Sequence, residues 1–215
     1  MPPERQAGAD TIATVEAFRA ATGVSRETIA RLEIYAGQLA RWQKAINLVG
    51  PRTLPEVWQR HMLDSAQLMP HLPDLAAPLV DLGSGAGFPG LVLAILGVPE
   101  VHLVESDARK AAFLAETARL TGAPVKVHAS RIEAVASFPA AVVTARALAP
   151  LGTLLGLAAR FFGPATIGLF LKGRDWRREL TEAEEAWTMD VRGLPSVTDP
   201  DSIIMRVASL RPAGS

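Results

Sequence analysis

The 215-residue chain has no cysteine, which excludes disulfides, thiolate metal sites and a cysteine nucleophile together. Net charge is equally missing. The 22 Lys and Arg residues balance 22 Asp and Glu for a formal charge of +0, so no bulk field draws the protein toward nucleic acid or membrane, and any polyanion site must be a local patch. Long apolar runs are scarce as well. The longest, residues 151–171, is broken by Arg160 and by Gly163-Pro164, so it reads as a core helix followed by a strand and not as a membrane span. The N-terminal Met1-Pro2-Pro3-Glu4-Arg5-Gln6 has no apolar signal core, and a cytoplasmic location is expected. His61, His71, His102 and His128 show no paired metal-ligand spacing, and no G-x-S-x-G elbow is present, so neither a metal site nor a serine hydrolase is expected. Core material is ample: 49% of residues are hydrophobic, enough for one ordinary domain with an appendage.

The chain is organised around Pro78 to Gly90, P-L-V-D-L-G-S-G-A-G-F-P-G. Leu79, Val80 and Leu82 read as a buried parallel strand that ends at Asp81 and a turn signal. Gly83, Gly85, Gly87 and Gly90 then allow positive φ and close approach to a ligand, and residues 91–96 supply the apolar face of a following helix. This is a nucleotide-type site at the first turn of a doubly wound sheet. Gly85-x-Gly87-x-x-Gly90 also fits the dinucleotide fingerprint, with Glu105 about 20 residues further on, where a ribose-binding acid belongs. A nicotinamide-dependent oxidoreductase is therefore one reading. In that fingerprint, however, the first glycine closes the turn straight after the strand, whereas Asp81-Leu82-Gly83-Ser84-Gly85 precedes the triplet here. That order resembles the D-x-G-x-G-x-G motif of S-adenosylmethionine methyltransferases, and the methyltransferase reading is preferred.

About 70 residues of helix precede this strand. Residues 1 to 9 are polar and expected to be loose, and a short helix is predicted over 11–21. A longer one is capped by Ser25, with Ile29, Leu32, Ala36, Leu39 and Trp42 at helical spacing and Arg31, Arg41 and Lys44 opposite. Asn47-Leu48-Val49-Gly50-Pro51 breaks it. Thr53-x-x-Glu56 reads as a capping box for a further helix through Trp58, Met62 and Leu63. From Pro78 the pattern alternates, the mark of an α/β domain. Strands are predicted at 79–82, 101–105, 125–128, 141–144 and 166–171, with a hairpin-like closing pair near 187–191 and 203–207. The expected division is residues 1–77 as an N-terminal helical extension and 78–215 as the sheet domain, in one compact unit.

Four further stretches carry chemistry. Glu105 ends the second strand, placed either to accept ribose hydroxyls or to cap the next helix with Asp107. Ser130-Arg131-Ile132-Glu133 follows the third strand, where Ile132 would pack on a base and Glu133 offer a polar contact, or where Ser130 simply starts a helix. At the end of the fourth strand Arg146 is costly to bury unpaired, so it needs a carboxylate, a cofactor group or a substrate anion. Lys172-Gly173-Arg174 after the fifth strand adds cations at the same sheet edge.

Taken together, Asn47-Leu48-Val49, Arg60-His61-x-x-Asp64-Ser65, the long glycine motif ending Phe88-Pro89-Gly90, Arg131-Ile132-Glu133, Ala145-Arg146-Ala147 and Leu171-Lys172-Gly173 resemble the bacterial 16S rRNA guanine-N7 methyltransferases, formerly called glucose-inhibited division protein B. The resemblance covers about residues 25 to 210. It implies a class I S-adenosylmethionine methyltransferase fold, Rossmann-like and seven-stranded, acting on N7 of guanine 527. The implied cofactor is S-adenosylmethionine, held by Asp81, Gly83, Gly85, Gly87, Phe88, Glu105, Ile132, Glu133 and Arg146. Arg146 and Lys172 are candidates for positioning the acceptor. The implied partner is 16S rRNA or the small ribosomal subunit, with no membrane and no metal, and a monomer is expected. A non-catalytic RNA binder on a methyltransferase fold stands as the other alternative.

Overall fold

The computed structural model describes residues 14–73 and 77–214. The loose start expected over residues 1–9, and the first residues of the helix predicted over 11–21, lie outside them. Among the described residues the first helix is α1 (Val15–Thr22), capped by the Thr14 hydroxyl and ended by Gly23 in the left-handed region. α2 (Arg26–Trp42) begins at Ser25, whose side chain accepts the Thr28 N–H. The predicted capping box at Thr53 does not form. The chain runs through turns to a π-helical segment, Trp58–Leu63, which tightens into a single α-turn, α3 (Asp64–Ala66). Thr53 instead gives its hydroxyl proton to the Gly50 carbonyl and takes a hydrogen bond from His61.

Beyond Pro78 the chain builds a seven-stranded sheet: β1 (Leu79–Leu82), β2 (Val101–Glu105), β3 (Val125–Ala129), β4 (Val142–Arg146), β5 (Ile167–Lys172), β6 (Trp187–Pro195) and β7 (Ile203–Pro212). Their order is β3-β2-β1-β4-β5-β7-β6, parallel except for β7, which is antiparallel to both neighbours. All seven predicted strands are present. The closing pair is longer than the sequence pattern suggested, because a hairpin can continue its ladder past the edge of the parallel sheet. The linking helices are α4 (Gly90–Ile95), α5 (Ala108–Thr121), α6 (Leu151–Ala158) and α7 (Trp176–Glu184). α5 is capped by Asp107 and stopped by Gly122 at φ 61°, as the sequence predicts.

Side chains on a strand alternate between faces, and two apolar clusters follow that alternation. Leu79, Leu103, Val142 and Leu169 face one way and pack with α2, α4, α5 and the residues of the π-helical segment. Val80, Val104, Val143 and Phe170 face the other way and pack with α6 and α7. Phe18, Leu32, Tyr35 and Met62 of the N-terminal helices thus share one continuous core with the sheet. No helix among the described residues is long and apolar enough to cross a membrane.

Strand order reverses between β1 and β4, and the crevice at such a switch point is where open α/β sheets bind ligands. The register pairs Asp81 of β1 with Thr144 of β4. Thr144 donates to the Asp81 carboxylate at 2.8 Å, and the Gly90 N–H at the start of α4 reaches it at 3.3 Å. Gly90 is required there by space: a Cβ would lie 2.5 Å from Leu103 Cδ2 and 2.7 Å from Asp81 Cβ. Gly90→Ala is therefore expected to destabilise by about 1–3 kcal/mol, the cost of overpacking a closed site. Gly37→Ala, in α2 with nothing within 4 Å of the added methyl, should be neutral or stabilising by up to about 1 kcal/mol. Urea midpoints check both; equal shifts for the two variants would contradict the packing account.

Candidate functional site

The loop after β1 turns through Gly83, Gly85 and Gly87, all at positive φ. Its tip is tied down from the next strand. Glu105, closing β2, accepts the Gly85 N–H at 2.8 Å on Oε2 and the Asp107 N–H at 2.7 Å on Oε1. Glu105 thus orders the loop and the entry to α5, and each carboxylate oxygen keeps a further lone pair. Capping itself falls to Asp107, whose own carboxyl is held below the usual range by the Lys110 and Arg109 N–H groups.

A cleft of about 390 Å³ opens over this loop, lined by Gly83, Gly85, Phe88, Glu105, Ile132, Glu133 and Arg146. Seven of the nine residues that the sequence assigns to a cofactor therefore meet in one place. The other two stand behind it. Gly87 turns the loop where a Cβ would strike the Tyr35 hydroxyl at 2.7 Å, and Asp81 is fully buried beneath. Burial pushes the Asp81 carboxyl up to about 6, against the opposing pull of the Thr144 hydroxyl and the Gly90 N–H. The segment after β3 forms a short 3₁₀ turn, Ile132–Ala134, preceded by Arg131 with no side-chain cap, so Ser130 does not start a helix. Gly85 faces open space, with only the Gly83 carbonyl 3.8 Å from a notional Cβ. An open glycine backbone, an acid and an apolar Ile132 together suit the amino-acid end, ribose and base of a nucleoside-type group.

A second cavity, also about 390 Å³, adjoins the first at the carboxyl ends of β4 and β5 and includes Asp64, Lys172 and Glu179. The two share Arg146, Ala147 and Leu148 as a common wall. Arg146 lies over the Phe88 ring at 4.9 Å, and its Nη1 donates to Asp64 Oδ2 at 3.2 Å and to the Arg60 carbonyl at 3.1 Å. The cation at the end of β4 thus finds its carboxylate in the R-H-x-x-D-S motif, with both side chains about four-fifths buried. Asp64 is fixed in turn by Thr198 at 2.7 Å and Gln67 at 2.9 Å. Lys172 is also paired, 2.5 Å from Glu179, whereas Arg174 is exposed.

The N-terminal helices support the loop from behind. Phe88, which precedes a cis proline, stacks on Tyr35 at 5.2 Å and on His61 at 4.8 Å. The buried Tyr35 hydroxyl donates to the Ala86 carbonyl in the glycine loop. The Gln43 side chain takes the Leu48 and Val49 N–H groups at 2.9 and 3.0 Å and gives a hydrogen bond to the Val49 carbonyl at 2.8 Å. That wrap presents Leu48 to the cleft. Sequence reasoning missed Tyr35, Gln43, Leu148 and Lys110. Only Tyr35 carried a visible signal, as the single tyrosine of the chain at helical spacing from Leu32 and Leu39.

The profile of the family described as rRNA small subunit methyltransferase G matches residues 28–202. The chain is 59% identical to the ribosomal RNA small subunit methyltransferase G of Rhodospirillum centenum, over 92% of this chain and 91% of that protein. It is 55% identical to the protein of the same name from Rhodospirillum rubrum, over 93% and 100% of the two. Among solved structures, it resembles a TehB-like SAM-dependent methyltransferase from Corynebacterium glutamicum, with a TM-score of 0.54, 15% identity, and coverage of 83% and 98%.

His61 yields a test of this geometry. Thr53 spends its proton on Gly50, so the His61 Nε2–H donates to it and Nδ1 remains a buried lone pair without a partner among the described residues. Burial, with Arg146 and Arg60 nearby, lowers its pKa to about 3. A folded-state pKa below the unfolded value means the unfolded chain binds the extra proton first, so this contribution is complete above about pH 6.5 and lost as pH falls toward about 3. Its size is on the order of a few kcal/mol. His61→Gln should therefore lose less stability than the native protein between about pH 7 and pH 4.5, measured as urea midpoints; parallel curves would show that His61 titrates normally.

Proposed function

The chain belongs to the rRNA small subunit methyltransferase G family, and we propose that it transfers the methyl group of S-adenosylmethionine to N7 of a guanine in 16S rRNA, on the naked RNA or within the small subunit. The observation that carries this reading is the shared wall: a nucleoside-type cleft and a second cavity meet at Arg146-Ala147-Leu148, so a donor in one faces an acceptor in the other. When bound, S-adenosylmethionine supplies an electrophilic methyl on its sulfonium. Glu105 would receive the ribose hydroxyls, Ile132 would pack on the adenine with Glu133 beside it, and the backbone of Gly83 and Gly85 would receive the amino-acid end. Arg146, held by Asp64 and Phe88, stands at the boundary between the cleft that would hold the donor and the cavity that would hold the acceptor.

The side chains suit an acceptor with no proton to lose. Guanine N7 exposes a lone pair on the Hoogsteen edge, so the protein has to align and not deprotonate, and alignment alone supplies several kcal/mol. Among the described residues, the carboxylates lining the acceptor cavity are each paired with a cation. Asp64 is tied to Arg146 and Thr198, and Glu179 is bonded to Lys172 and to the Leu151 N–H. His61 sits behind Phe88 and lines neither cavity. A nicotinamide oxidoreductase would leave the second cavity and its paired cations unexplained, and the family favours methyl transfer.

The test is single-turnover transfer from tritiated S-adenosylmethionine to 16S rRNA, with the product mapped by borohydride and aniline strand scission, which reports 7-methylguanosine. One scission site is expected. At saturating cofactor and RNA the rate should be nearly flat from about pH 7 to about pH 9, since no base titrates in the chemical step. Label on an exocyclic amine, or a rate rising with unit slope through neutrality, would overturn the N7 assignment.

A further inference from the structure

The acceptor cavity contains one charged pair that methyl transfer itself does not use. Lys172, the last residue of β5, places Nζ 2.5 Å from Glu179 Oε2 and donates to the Ala149 carbonyl at 3.1 Å. Glu179, on α7, takes the Leu151 N–H at 2.8 Å on that same oxygen. The side chains are 9% and 19% exposed, and both border the cavity beside Arg146.

Anchoring the start of α6 accounts for only part of this arrangement. It engages Oε2, while Oε1 carries no hydrogen bond among the described residues, and the ammonium has a third proton beyond its two partners. The pair is also a poor phosphate site, because a carboxylate beside the lysine repels an anion. What it presents instead is a donor next to an acceptor. Guanine carries the complementary pattern, O6 as acceptor on the Hoogsteen edge next to N7 and N1–H as donor beside it. Adenine has the reverse, an amino donor at position 6 and a bare N1 acceptor, so the same pair repels it twice.

Resting on the reading of this cavity as the methyl-acceptor site, we propose that Lys172 and Glu179 select guanine, Lys172 donating to O6 and Glu179 accepting from N1–H. The base must then enter unpaired, since N1–H is otherwise engaged in Watson–Crick pairing, and extrusion of the target base is a general route for enzymes that act on one. Glu179 is a specificity-determining residue under this proposal and takes no part in bond making.

The experiment is single-turnover methyl transfer to ligated 16S rRNA in which the mapped guanosine is kept, or replaced by inosine or by N1-methylguanosine. Inosine retains O6 and N1–H and should react within about threefold of guanosine, whereas N1-methylguanosine should be slower by about tenfold or more, the loss of a hydrogen bond to a charged group. Glu179→Gln should lower transfer to guanosine by a similar factor and show no further loss on N1-methylguanosine. An equal loss on both RNAs would assign Glu179 to structure alone, and wild-type indifference to N1 methylation would overturn the proposal without the variant, including where the variant fails to fold. If no guanosine is labelled by the wild type, the acceptor reading falls and this inference with it; labelled guanosine without the N1 effect overturns the inference only.

Discussion

A guanidinium lying on a phenyl ring, with a carboxylate at its tip, is the constraint on which the site depends. Arg146 emerges from β4 with its side chain about four-fifths buried, and a cation left unpaired there would cost several kcal/mol. Asp64 meets that demand from a segment 82 residues earlier, and Phe88 supplies the surface beneath, a cation–π contact that strengthens as water is excluded. Three stretches far apart in sequence are thereby forced to one point. Neither the helical segment nor the glycine loop can move without exposing a charge or losing the stack. Ala147, next in the chain, sits at φ 52°, a conformation an L-residue holds only when its surroundings impose it.

The same point explains why the N-terminal helices are part of the core. Tyr35 and His61 both stack on Phe88, and the Tyr35 hydroxyl spends its hydrogen bond on the glycine loop. A loop rich in glycine is costly to order; here Glu105 holds it from the sheet side and Tyr35 from the helix side. The wall between the two cavities is therefore set by side chains from both parts of the chain.

The strand pattern was legible because parallel strands, buried on both faces, read as short apolar runs between helical periods. The glycine loop, Glu105 and the Asp107 cap were legible because each is a local rule about φ, spacing or an unsatisfied N–H. The partner of Arg146 was foreseeable only as a requirement: burial demanded a carboxylate, and periodicity could not say which one. The Thr53 capping box failed for a related reason. Its hydroxyl is drawn to Gly50 and His61, and the following helix widens to a π-turn that places His61 against Phe88 and Asp64 against Arg146, so tertiary contacts override the local signal. Glu179, on an exposed-looking charged helix, showed no periodic or motif signal at all. Its pairing with Lys172 emerges only when β5 and α7 are brought together.

If the Asp64–Arg146 bridge sets the wall of the cofactor cleft, Asp64→Asn should weaken S-adenosylmethionine binding without unfolding the chain. Asn keeps an acceptor for Thr198 but removes the charge that holds Arg146 over Phe88. Titration calorimetry on the folded variant is expected to show affinity lower by about tenfold or more, in line with the loss of a charge-assisted hydrogen bond. Unchanged affinity in a variant with native thermal stability would contradict the claim that this bridge organises the site.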